Sequence, residues 1–163
     1  MIISTKKTAL FIGLLFTLSV ATGFAQNRPE VGDVGLSASV QTNQTNLSVP
    51  IWASEQVVIA PVFGLVHEEE NFTTVNVGIK PRFYRDLGNN FASYVGLQGL
   101  IQYTSPEFGD ELTDIVIGAT GGGEYFLDSH FSLGVEGQLN FLFRDNDENR
   151  VATGAAVTGT FYF

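Results

Sequence analysis

The segment Phe-Ser-Leu-Gly-Val-Glu-Gly-Gln-Leu-Asn-Phe-Leu-Phe-Arg, residues 131–144, decides the fold. Phe131, Leu133, Val135, Leu139, Phe141 and Phe143 share one face; Ser132, Glu136, Gln138, Asn140 and Arg144 share the other. Only Gly137 and Leu142 break the alternation. A period of two puts successive side chains on opposite faces of a strand, whereas a helix needs apolar spacings of three and four.

The same pattern extends outward in both directions. Strands are predicted over 33–41, 46–53, 56–66, 72–85, 91–103, 113–126, 131–144 and 151–163. From the second strand onward the apolar residues carry odd numbers: Leu47, Val49 and Ile51, then Ile59, Phe63 and Leu65, and so on to Val157, Phe161 and Phe163. The first strand uses even numbers, Val34 to Val40. Turn residues separate the strands at Ser54-Glu55, at 86–90 and at Asp128-Ser129, and longer links lie at 42–45, 67–71, 104–112 and 145–150. Eight consecutive strands with short links predict an all-β, antiparallel up-and-down barrel, because closure removes unpaired edges.

Composition narrows the class. Of 163 residues only 15% are charged, and the net charge is −9. Ordinary soluble domains carry about 25% charged residues. The acidic balance argues against a nucleic-acid partner, which would want a basic face. There is no cysteine, which excludes a disulfide scaffold, a Cys-based metal site, a Cys nucleophile and lipidation at an N-terminal Cys.

Residues 1–25 read as a signal peptide: Lys6 and Lys7, an apolar core over 9–20, and small residues at Gly23 and Ala25. Residues 26–163 then form the barrel domain.

Four features predict that the apolar face points to lipid. Rings sit near strand ends on that face, as at Phe91 and Tyr103 or Phe131 and Phe143, in the manner of interfacial girdles. The opposite face is small and neutral (Gly35, Ser37, Asn76, Gly78, Gln98, Thr120), which suits a narrow, crowded lumen. Acidic residues gather in the longer links, as expected for external loops opposite short periplasmic turns. The strand ending in Thr160-Phe161-Tyr162-Phe163 resembles the signal read by the outer-membrane assembly machinery, with Phe161 and Phe163 carrying it.

The run from Gly121 to Glu136 (GGGEYFLDSHFSLGVE) resembles a recurring hairpin of small porin-family outer-membrane barrels, the OmpA/OmpX-type domains. The resemblance implies an eight-stranded transmembrane barrel of the outer membrane, in contact with lipid and lipopolysaccharide. A monomer is expected, in a structural or surface-interaction role.

Four inward charges are candidate functional residues: Lys80, Arg82, Glu124 and Glu136. In a lumen filled by side chains they predict a structural ion-pair network, because an unpaired buried charge is expensive. The alternative is a narrow porin-like passage for small solutes. His130 and Ser132, with a carboxylate near, admit a hydrolase reading like that of lipid A-modifying barrels; both are expected to face the lumen at the periplasmic turn, the wrong end for that chemistry. A periplasmic lipocalin-like binder would instead turn the apolar face inward. His67 beside Glu68-Glu69-Glu70 and the loop at 145–149 read as solvated, the latter lacking the glycine and distal Glu of a calcium loop. Residues 121–123 fall mid-strand, where three glycines permit close approach rather than phosphate binding. Trp52 reads as a packing or interface residue. Neither a catalytic residue, a metal site nor a cofactor is expected.

Overall fold

A computed structural model describes residues 28–41, 44–68, 72–88, 90–106, 111–144 and 148–163. The predicted export segment, the acidic residues at 69–70, 107, 110, 145 and 147, and the side chain of His67 lie outside the description.

Among the described residues, nine strand elements form one closed antiparallel sheet: β1 (Gly35–Gln41), β2 (Gln44–Ser48), β3 (Ile51–Ser54), β4 (Val57–Glu68), β5 (Phe72–Asp86), β6 (Phe91–Pro106), β7 (Leu112–Phe126), β8 (Phe131–Phe143) and β9 (Arg150–Tyr162). β1 pairs with β9, which closes the wall. The second expected strand, 46–53, is divided. Val49 and Pro50 interrupt it, since proline has no N–H to give to a ladder. Both halves pair with β4 in a continuous register, from Ser48↔Val62 to Ile51↔Ile59. The barrel is therefore eight-stranded, with one interrupted strand. Strands β4, β6 and β7 also run further into the predicted links than the alternation implied, to Glu68, Pro106 and Leu112.

The short turns are held by side chains that accept backbone N–H groups. The Asp128 carboxylate accepts from His130 and Phe131 at 2.7 and 2.8 Å. Asp86 accepts from Gly88 at 2.8 Å. Gly88 and Asn90 both adopt positive φ, 79° and 64°, which Gly and Asn tolerate best.

The face assignment follows the parity of the sequence. Leu97, Val135 and Val157 are 60%, 61% and 61% exposed on the outer surface, while Lys80, Arg82, Glu124 and Glu136 are buried inside.

The glycine run on β7 shows close approach at two positions. A Cβ on Gly122 would collide with the Val135 carbonyl oxygen and lie 2.8 Å from the Tyr94 ring and hydroxyl. A Cβ on Gly123 would press on the Phe91 ring, whereas one on Gly121 would meet only the Tyr94 carbonyl oxygen, at 3.7 Å. Gly122→Ala is expected to cost about 1–3 kcal/mol, the usual penalty of overpacking, and Gly121→Ala close to nothing. Urea unfolding of the two variants side by side checks the contrast.

Candidate functional site: the lumen

The inward face carries two buried carboxylates with different partners. Glu136, on β8, collects both cations. Lys80 Nζ donates to its Oε1 at 2.7 Å and Arg82 Nη2 to its Oε2 at 3.1 Å. Both cations come from β5 and reach across the lumen. The Tyr94 hydroxyl donates to Oε2 at 2.9 Å and Gln138 Nε2 to Oε1 at 2.7 Å. The Arg82 guanidinium also lies over the Tyr94 ring, 4.9 Å from its centroid, a cation–π contact.

Glu124, on β7, is not part of that network: among the described residues no cation lies within ion-pair distance of it. It accepts instead from three hydroxyls, those of Tyr84, Ser132 and Tyr162. The four charges expected to form one group thus separate into a charged cluster around Glu136 and a hydroxyl cage around Glu124.

His130 and Ser132 are also separated. Ser132 is fully buried and donates to Glu124, as its parity implied. His130 lies exposed in the β7–β8 turn, in hydrogen-bond contact with Ser129 Oγ at 3.1 Å and with its ring beside Phe161. The residue belongs to the Asp128 turn and not to the strand, so strand parity does not govern it. The Ser-His-carboxylate arrangement is not assembled. Phe161 and Phe163 project outward, 48% and 71% exposed, with ring centroids 5.3 Å apart.

Alternation at the level of polar and apolar classes did not reveal the aromatic plug at the turn end. Trp52, Tyr84, Tyr94, Phe126 and Tyr162 are all buried there. The Trp52 ring sits 5.0 Å from Tyr84, 6.4 Å from Phe126 and 6.5 Å from Tyr162. Each of these rings carries an even number, and that signal was available: on β3 to β9 even numbers face inward.

The segment before β1 closes this end. Trp52 N donates to Asp33 O at 3.0 Å, and Gly32 N to Trp52 O at 2.8 Å. Arg28 lies over the Trp52, Tyr84 and Phe126 rings at 5.1, 5.8 and 5.7 Å and pairs with Asp86 at 3.5 Å. Trp52 is the single tryptophan of the chain, so its fluorescence reports on the seal. Arg28→Ala is expected to raise acrylamide quenching of Trp52 at least twofold without unfolding the barrel; unchanged quenching would show that the rings seal the end unaided.

No protein-family model matches the chain, and no curated protein matches it. Solved structures do match in fold. The N-terminal β-barrel domain of Pseudomonas aeruginosa OprF aligns with a TM-score of 0.60 at 15% identity, over 85% of this chain and 100% of that one. Neisserial surface protein A aligns with a TM-score of 0.61 at 15% identity, over 78% of this chain and 91% of that one. The chain has the eight-stranded antiparallel fold of these barrels.

Proposed function

We propose that the protein is an integral outer-membrane β-barrel with a closed polar lumen and a structural or surface-contact role. The observation that carries this reading is the inverted polarity of the wall. Apolar side chains cover the outside of every strand, and the buried charges are inside. An apolar surface continuous around the molecule is unstable in water and is what a bilayer requires of a spanning barrel. The fold shared with the barrels of OprF and Neisserial surface protein A supports the same placement. An export signal over 1–25, assembly through Phe161 and Phe163, contact with lipopolysaccharide and a monomeric state belong to this reading. So does the absence of catalysis, which the separation of His130 from Ser132 supports.

The lumen supports closure over passage. Lys80 and Arg82 bridge to Glu136 across its middle, and five rings fill the turn end.

Membrane fractionation tests the placement, with gel migration of boiled and unboiled samples as the folding readout. The protein is expected in the outer-membrane fraction with a heat-dependent shift; recovery as a soluble periplasmic protein would overturn the reading. Planar-bilayer recording is expected to show no stable conductance, and a reproducible open level would replace closure with passage.

A further inference from the structure

At the turn end, Arg28 is held in a different way from the lumen cations. Lys80 and Arg82 reach their carboxylate at 2.7 and 3.1 Å. Arg28 has Asp86 at 3.5 Å, and its Nε and Nη2 are buried without a hydrogen-bond partner. The guanidinium rests instead on three ring faces, those of Trp52, Tyr84 and Phe126. Ring faces attract a cation without asking for hydrogen bonds. Such a cradle suits a guanidinium, which is flat, weakly hydrated and stacks on aromatic faces. It suits an ammonium less well, because that compact charge keeps its water.

The cradle is held by contacts that do not involve Arg28. The Tyr84 hydroxyl donates to Glu124, and its ring lies 5.0 Å from Tyr94. Phe126 N donates to Asn90 O at 2.8 Å, and its ring lies 6.4 Å from Tyr162. The Trp52 backbone is bonded on both sides to the segment before β1. Asp86 Oδ1 accepts from Gly88 N, while Oδ2 faces the cation.

The segment that delivers Arg28 is likewise folded without its side chain. Asp33 Oδ2 accepts from Glu30 N at 2.7 Å, and Asp33 N donates to Glu30 O at 3.1 Å. Pro29 is buried beside Arg28 and fixes its own φ. Removing the side chain therefore leaves both the strap and the rings in place. The rim of this end is acidic, with Glu30, Asp33, Glu55 and Asp128 exposed there, and such a rim raises the local concentration of cations.

We propose that Trp52, Tyr84 and Phe126, with Asp86 at the rim, form a binding site for an alkylguanidinium group, and that Arg28 is its built-in occupant. The turn end is then closed by an exchangeable ligand as well as by the wall. A tethered ligand holds its site at an effective concentration on the order of millimolar or above, so free alkylguanidinium competes only beyond that level and binds readily once Arg28 is gone. The site needs only the fold, and it stands or falls separately from the membrane role proposed above.

The test uses Arg28→Ala in detergent micelles, with acrylamide quenching of Trp52 as the readout and heat-dependent gel migration as the check of folding. The atoms removed beyond Cβ have the outline of ethylguanidinium. Ethylguanidinium chloride at about 10 mM, beyond the millimolar scale of the tether, is expected to return at least half of the protection that Arg28→Ala loses. The unmodified protein should not respond, since either occupant covers the ring. N-ethylurea has the shape without the charge, sodium chloride the charge without the shape, and ethylammonium the charge in compact, hydrated form. None of the three is expected to restore protection at the same concentration. A loss that ethylguanidinium does not restore overturns the site, as does equal restoration by any of the three controls or unchanged quenching in Arg28→Ala. The unmodified protein supplies a second measurement that does not depend on how the variant folds. In its proton NMR spectrum the Arg28 δ-methylene is expected upfield of that of the exposed Arg150, because three ring faces shield it; coincident shifts overturn the site.

Discussion

Glu136→Leu is expected to destabilise the barrel by about 3–5 kcal/mol, the cost of leaving buried charges without their counter-ion. Lys80 and Arg82 are 5% and 4% exposed, and both donate to this one carboxylate. Removing it strands two cations at once and also frees the Tyr94 hydroxyl and the Gln138 amide. Urea unfolding from lipid vesicles, followed by Trp52 fluorescence, measures the loss. The triple replacement Lys80→Met, Arg82→Met, Glu136→Met should recover most of it, because an apolar set of similar volume carries no desolvation debt. Glu124→Gln is expected to cost less, since an amide still accepts from two of the three hydroxyls that hold Glu124 and no cation is left unpaired. A loss under about 1 kcal/mol for Glu136→Leu, the range of an exposed pair, would show that water reaches the cluster.

Trp52→Ala is expected to be comparably severe, about 3–5 kcal/mol, the range for emptying a large aromatic site. Trp52 is 1% exposed and touches Tyr84, Phe126 and Tyr162, three rings from three other strands, besides lying under Arg28. The rings form a plug across the turn end, so its removal leaves a void that the rigid wall cannot collapse to fill. Gel migration of unboiled samples through a urea series provides the readout, because the variant has no tryptophan. Trp52→Phe should retain more than half of the stability. A marginal effect of Trp52→Ala would mean that Tyr84 and Phe126 close over the gap.

The two predictions differ in how visible their residues were beforehand. The charges at 80, 82, 124 and 136 stand out by type on an inward face, and their position inside the lumen follows from parity. Their partnership does not. Glu124 and Glu136 sit on adjacent strands, both facing inward, yet one binds two cations and the other three hydroxyls. The plug is less visible because Trp52, Tyr84, Tyr94, Phe126 and Tyr162 belong to the same aromatic class as the girdle rings, and only their even numbers set them apart. Val62, Leu100 and Val116 are likewise apolar by class at inward positions, whereas Leu142 stands out as a break in the alternation. His130 failed for a different reason: one residue beyond the strand, an Asp128 turn reorients the backbone and the parity rule ends.

By itself the sequence determined the strand period, the number of strands crossing the wall, the end on which the short turns lie, and which face of each strand is outside. All of these are local, because pleating sends neighbouring side chains to opposite faces and turn residues act within a few positions. Only the tertiary structure decided which inward groups meet. Distances across a barrel depend on how the register accumulates around all eight strands before β9 returns to β1. Parity places a side chain inside the barrel, whereas closure sets its height and its partners.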